Sequence, residues 1–310
     1  MRDVLFSLIP VTLVSFYWFR WHAVLLVFVC LLTAVITEIA FRKAMQKKIT
    51  LYDGSALVTG LFVALLHSPG TAWWNAALAT FFGIGLAKEL TGGLGWNRFN
   101  PALFGRFFTF LVAPVFAYFS DAFAALRPHF GTIDTFTQAT PLALMQQGMD
   151  VPSLGSIFIA YPGGALGETS VLALLIGAAY LFYRQHIGWH IPTSIVITTF
   201  LFGLLFSRGD IYFAFFHVVS GGVILGAFFT ANDWVTAPII PRGKIIFGVS
   251  IGILLSFFRF FLPPTEGMAF AILIMNAAVP IIDRLTKRPK FGGSKGKHDA
   301  SGIEPNRIGY

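Results

Sequence analysis

The sequence predicts an all-α, polytopic membrane protein of about ten transmembrane helices, on three observations. Hydrophobic residues make up 56% of its 310 residues and charged residues only 12%, against roughly 25% charged in soluble domains. The mean hydropathy is +0.74. The apolar residues also fall into separate runs, many near the roughly 20 residues that a helix needs to cross a hydrocarbon core about 30 Å thick.

The first run, near residues 3 to 19, leads into Phe19-Arg20-Trp21-His22 instead of a small-residue cleavage site, so it reads as a retained first helix. The second covers 22 to 41 and ends on Arg42, Lys43, Lys47 and Lys48. The third, 55 to 67, is entered through Asp53-Gly54-Ser55 and stopped by His67-Ser68-Pro69-Gly70. It is too short to cross alone, and lipid cannot satisfy the backbone groups at its ends, so a buried seam is expected around it. Runs at 71 to 91 and 101 to 119 follow, then a polar interval, then runs at 170 to 183, 189 to 207, 211 to 230, 244 to 262 and 266 to 284.

Charge orients these spans, because cytoplasmic loops carry the excess Lys and Arg. With both termini inside, 18 of the 22 basic residues lie on the cytoplasmic side, Lys88 and Arg106 among them. Only Arg20, Arg127, Arg208 and Arg259 lie outside. The net charge of +8 is thereby explained by topology and not by nucleic acid. The single cysteine, Cys30, sits in an apolar run, so any iron–sulfur cluster must belong to other subunits or be shared with them.

The expected organisation is a first five-helix repeat at 1–119, an extracytoplasmic loop at 120–169, a second five-helix repeat at 170–285 and a basic cytoplasmic tail at 286–310. Gly54-Ser55-Ala56-Leu57-Val58-Thr59-Gly60-Leu61-Phe62 aligns weakly with Ser220-Gly221-Gly222-Val223-Ile224-Leu225-Gly226-Ala227-Phe228. Each is the third span of five, an odd number, so the second half would be inverted and a site would form between the halves. Close helix packing explains the small residues equally well.

The outside interval holds Asp134-Thr135-Phe136-Thr137-Gln138-Ala139-Thr140-Pro141-Leu142. Asp134, Thr137, Ala139 and Thr140 resemble the recognition sequence of flavin transferases, in which the last Thr hydroxyl becomes a phosphoester to FMN; Gln138 departs from the usual Gly. Thr140 before Pro141 is also a good N-cap of a short helix. The two readings are compatible, because an ester on an N-cap oxygen puts phosphate at a helix N-terminus, and Pro141 keeps Thr140 extended.

Five further stretches complete a family resemblance: Leu51 to Gly60, Gly92-Gly93-Leu94-Gly95-Trp96-Asn97-Arg98-Phe99-Asn100-Pro101-Ala102, Gly167-Glu168-Thr169-Ser170, Ala231 to Pro238, and Met275-Asn276-Ala277-Ala278-Val279-Pro280. Across residues 1 to 285 the chain resembles the family that unites the D-type component of the Rnf ion-translocating electron-transport complex with the B-type component of the sodium-pumping NADH:quinone oxidoreductase. Its length is nearer the first, since the second usually carries a longer N-terminal extension. The resemblance implies two inverted five-helix repeats similar to urea and ammonium transporters, covalent FMN on Thr140 and a second, non-covalent flavin, riboflavin. It also implies electron transfer coupled to Na⁺ or H⁺ translocation in the bacterial inner membrane. Partners would be other membrane subunits, among them a second covalent flavoprotein, with a flavin transferase for maturation.

Asp53, Asn97, Asn100, Asn232, Asp233 and Asn276 stand at the ends of short or broken spans, where they are candidates for the second flavin or an ion path. Caps and turns explain them equally well. Glu38, the most embedded carboxylate, is one turn from Arg42 and suits either an ionisable functional role or an i, i+4 pair. No metal ligand spacing, phosphate loop or dinucleotide fingerprint is present, so the expected role is a relay and the chain alone carries no catalytic residue. A urea- or ammonium-type channel and a flavin subunit of another electron-transfer system are the alternatives; the Thr140 motif opposes the first.

Overall fold

The computed structural model describes residues 1–118, 140–146, 149–261 and 267–286, and among them there are helices and no strands. The predicted runs coincide with helices: α1 (Arg2–Ala44), α2 (Ser55–Leu66), α3 (Trp73–Phe82), α4 (Pro101–Tyr118), two short helices α5 (Pro141–Gln146) and α6 (Leu154–Ile159), then α7 (Val171–Tyr183), α8 (His190–Phe206), α9 (Ile211–Val219), α10 (Val223–Leu225), α11 (Pro241–Phe261) and α12 (Gly267–Thr286). α1, α11 and α12 are each long and apolar enough to cross a membrane, and α9 with α10 forms a bent pair, 59° apart, that together would make another crossing.

α1 contains the first two predicted runs and is not one rod. Arg20 has φ 47 and ψ −126, far from helical values. A straight helix would separate residues 1 and 38 by about 55 Å at 1.5 Å per residue. Instead both approach the start of α2: a Cβ on Gly54 would lie 3.8 Å from Met1 Cβ, while Ser55 Oγ is 2.6 Å from Lys88 Nζ, itself 2.7 Å from Glu38. The chain therefore doubles back at Arg20.

α2 occupies the expected buried seam. Gly54 enters it at φ 73, a left-handed conformation that glycine adopts without a Cβ penalty. Ten of its residues, Ser55, Ala56 and Val58 through Leu65, are buried on all faces, as a helix apolar all round requires. Its end meets the second half of the chain: Leu166 N–H donates to His67 O at 2.9 Å, and Phe62 packs edge-on against Phe229. On the opposite flank α1 and α7 are in backbone contact, since a Cβ at Gly177 would lie 2.0 Å from Ser7 O. Gly177→Val should therefore cost about 1–3 kcal/mol by overpacking, read as a lowered thermal midpoint of the purified protein in detergent.

One structural unit recurs. α3 runs on into π-helical turns at Gly83–Glu89, and a polar loop then leads to α4 with Pro101 at its start. α10 likewise runs on into π turns at Gly226–Thr230, and a loop leads to α11 with Pro241 at its start. Proline suits that first position because its missing N–H has no intrahelical partner there. The recurrence pairs α10 with α3, whereas the sequence alignment of Gly54–Phe62 with Ser220–Phe228 pairs it with α2.

Candidate functional site

Thr140 caps α5: its Oγ1 accepts from Ala143 N–H at 3.1 Å, as expected of an N-cap. Its partners in the attachment motif, Asp134, Thr137 and Ala139, lie outside the described residues. Thr140 lines a cavity of about 300 Å³, within the size range of small-molecule sites. Arg106 of α4, Glu168, Gly221 and Gly222 at the α9–α10 break and Arg259 of α11 share it, with Met268 and Ile272 of α12 as an apolar wall.

Two of these charges are built into the break. Arg259 is 3% exposed and donates to the carbonyls of His217, Ser220 (2.7 Å) and Gly221 (3.1 Å), the groups left over where α9 ends. A cation there also suits the negative end of the helix. The Glu168 carboxylate sits between two glycines, since a Cβ at Gly164 or Gly222 would lie 2.7 Å from one of its oxygens. Gly164 and Gly222 have φ 97 and φ 69. The cradle thus needs glycine for space and for backbone conformation alike.

The donor set fits the group that the motif implies. Among the described residues, two guanidinium groups and one carboxylate give the cavity one positive charge, and a phosphate esterified to both Thr140 and a flavin ribityl chain would carry one negative charge. Thr140 is half-buried and lines the cavity wall.

A second polar cluster lies at the start of α2. Lys88 Nζ is 2.7 Å from Glu38, 3.8 Å from Glu89 and 2.6 Å from Ser55 Oγ. Arg42 Nε is 3.3 Å from Glu38 and 3.2 Å from Glu89. The two acids are fully buried, Lys88 is 1% exposed and Arg42 8%. The expected Glu38–Arg42 pair is thus half of a neutral, four-charge network. Lys88, expected in a cytoplasmic loop, is instead buried among carboxylates, because the π turns of Gly83–Glu89 point two successive charged residues inward. Arg106, also expected in that loop set, lines the Thr140 cavity, and Arg259, expected outside, is buried at the helix break.

None of the six candidates for a second flavin or ion path lines the Thr140 cavity. The structure brings Asn100 and Asn276 together: Asn100 N–H donates to Asn276 Oδ1 at 3.2 Å, and Asn100 Oδ1 caps α4 by accepting from Ala102 N–H. Their amides donate to Thr230 O and Thr236 O, which ties both chain halves into one knot. Asn97 donates to Phe99 O, and Asn232 to Ala227 O at the end of the π turns. Asp233 accepts from Thr236 Oγ1 at 3.1 Å, and burial raises its carboxyl above the usual value. Asp53 holds the Ser55 N–H and hydroxyl at 2.7 and 2.6 Å. Burial acts to raise its pKa, but those bonds and the Lys88 charge bring it below the usual value.

Known proteins are similar to this sequence along nearly its whole length. The profile of the NQR2, RnfD, RnfE family matches residues 1–292. The chain belongs to that family. Among its curated relatives is the D-type component of the Na⁺-translocating ferredoxin:NAD⁺ oxidoreductase complex of Acetobacterium woodii, 38% identical over 97% of this chain and 92% of the relative. The D-type component of the proton-translocating ferredoxin:NAD⁺ oxidoreductase complex of Clostridium ljungdahlii is 34% identical over 94% of this chain and 91% of its own. That of an ion-translocating oxidoreductase complex of Stutzerimonas stutzeri is 33% identical over 96% and 93%. These relatives are subunits of ion-translocating oxidoreductase complexes.

Within this family member, sequence reasoning passed over Glu168, Arg106, Arg259, Lys88 and Glu89 as site residues. A signal existed for Arg259, which stands in Phe257-Phe258-Arg259-Phe260-Phe261: an ionisable residue amid apolar ones is a functional candidate. Lys88-Glu89 and Glu168 sit at the edges of apolar runs, where charge reads as loop.

Proposed function

We propose that this chain is the D-type membrane component of an ion-translocating ferredoxin:NAD⁺ oxidoreductase complex, carrying FMN esterified to Thr140 and a second flavin, riboflavin. The observation that carries the reading is the position of the motif threonine, on a cavity whose two arginines and one glutamate balance a phosphodiester. FMN, when bound, supplies one- and two-electron transfer; the protein supplies position, burial and field. Thr140 anchors, Arg106 and Arg259 neutralise, and the α12 wall keeps water away from one side. The translocated cation is Na⁺ or H⁺, both of which occur in the names of relatives. Family membership favours this role over a urea- or ammonium-type channel.

Co-expression with a flavin transferase tests the attachment. A fluorescent band should persist through denaturing electrophoresis, with the FMN mass on the Thr140 peptide; a non-fluorescent wild-type protein overturns the reading. Electrons need partner cofactors, since Cys30 is the sole cysteine. Co-purification with other integral subunits, one of them a second covalent flavoprotein, is expected.

The proposal extends to topology: ten spans in two inverted halves in the bacterial inner membrane, with cytoplasmic termini. The doubling back at Arg20, which divides α1 into two spans, supports it. Reporter fusions at Gln46, Gln185 and Gly293 should read cytoplasmic and one at Gln147 external. A cytoplasmic reading at Gln147 would put Thr140 on the wrong side for the outward-facing flavin.

A further inference from the structure

The Thr140 cavity holds more than an anchor. Three charged side chains from three separate parts of the chain converge on it: Arg106 from α4, Glu168 from the segment before α7, and Arg259 from α11. Two are held by backbone. Arg259 is fixed by three carbonyls at the end of α9, and Glu168 is confined between Gly164 and Gly222, with Arg259 in Coulombic reach. Arg259, 3% exposed and held by those carbonyls, cannot swing away as another charge arrives and is screened little by water, so its field on an occupant is large.

A glycine cradle around a carboxylate is costly to build if the only need is to neutralise a phosphate, for which one arginine suffices. Gly221 adds to the point: at φ 63 it lies so near Arg259 that a Cβ would be 2.6 Å from Nη2. The backbone is shaped around an opposed pair of charges and not around a single cation.

We propose that Arg106, Arg259 and Glu168 are positioning residues that set the reduction potential of the flavin carried on Thr140. The two guanidinium groups favour its reduced form and the carboxylate opposes it. The inference rests on the reading that Thr140 carries FMN. Reduction by two electrons with uptake of one proton adds one negative charge to the ring system, and it is this charge that the three side chains sense. Glu168 limits the stabilisation that two arginines alone would give, so the potential lies between those of the singly altered proteins.

The test is a reductive titration of the flavin-loaded membrane protein, with dithionite supplying electrons and a mildly alkaline buffer the proton, while absorbance, after subtraction of the Thr140→Val protein that lacks the covalent flavin, reports the oxidised fraction of the Thr140 flavin. Glu168→Gln should raise the midpoint and Arg106→Gln should lower it. Each shift should amount to at least a tenfold change in the reduced-to-oxidised ratio at a fixed poise, about 30 mV for a two-electron couple. Opposite signs are the diagnostic, because a merely structural role would expose the flavin to water in either variant and move both potentials the same way. Arg259→Lys, which keeps the charge, should stay within a few-fold of the wild-type ratio. The fluorescent band, measured on the same samples, separates the two layers. A loaded protein whose midpoint is unmoved, or moves alike in both variants, overturns this inference alone; a wild-type protein without covalent flavin overturns it together with the reading on which it rests.

Discussion

Thr140→Val is expected to abolish the covalent flavin completely while leaving the protein inserted in the membrane. Valine keeps the shape of the side chain and removes the hydroxyl, the only atom that can form the phosphoester. It also leaves the Ala143 N–H without its side-chain acceptor, which costs roughly 0.5–2 kcal/mol as the loss of an N-cap. That cost falls on α5, a six-residue helix at the rim of the cavity, and not on the apolar helices that hold the chain in the bilayer. Thr140→Ser restores both nucleophile and cap and should retain the band. Asp134→Ala should lower the modified fraction without eliminating it, since a recognition carboxylate acts on the transferase and not on the ester. Gel fluorescence with peptide mass decides the matter: a band that persists in Thr140→Val excludes this residue as the site.

Lys88→Met should produce the largest loss of stability. The four charges of Glu38, Arg42, Lys88 and Glu89 cancel, and each carboxylate is shared between a lysine and an arginine. Removing the ammonium leaves two fully buried carboxylates to one guanidinium. Breaking a buried pair in this way costs roughly 3–5 kcal/mol, because the remaining charge is uncompensated. Lys88→Met combined with Glu38→Gln restores neutrality and should recover a large part of the loss, a non-additivity that a double-mutant cycle in a denaturation series would read directly. An unchanged unfolding midpoint in Lys88→Met would show that the network is solvated and contributes nothing.

The same contrast separates what was legible in the chain from what was not. Helix positions were legible because the lipid requirement acts locally: every backbone polar group must be satisfied within its own helix, so each run of apolar residues announces itself. Even the break at Arg20 within α1 and the seam at α2 follow from short-range signals, the Phe19-Arg20-Trp21-His22 interruption and the Asp53-Gly54-Ser55 and His67-Ser68-Pro69-Gly70 ends. The motif ending at Thr140 was legible for a related reason, since its resemblance rests on a short linear stretch.

Partnership between charges was not legible. Lys88, Arg106 and Arg259 looked like topology markers, because a basic residue in sequence carries no sign of whether it faces water or a buried carboxylate far along the chain. The asparagine pair shows the converse: Asn100 and Asn276 are 176 positions apart and meet in one hydrogen bond. By itself, then, the sequence determined the family, the helices and the threonine at the end of a flavin-transferase-like motif, all properties of contiguous residues. Only the tertiary structure decided that Thr140 opens onto a cavity shared with Arg106, Glu168 and Arg259, and that Glu38, Arg42, Lys88 and Glu89 neutralise one another. Electrostatic pairing depends on distance in space, which the folded helices set.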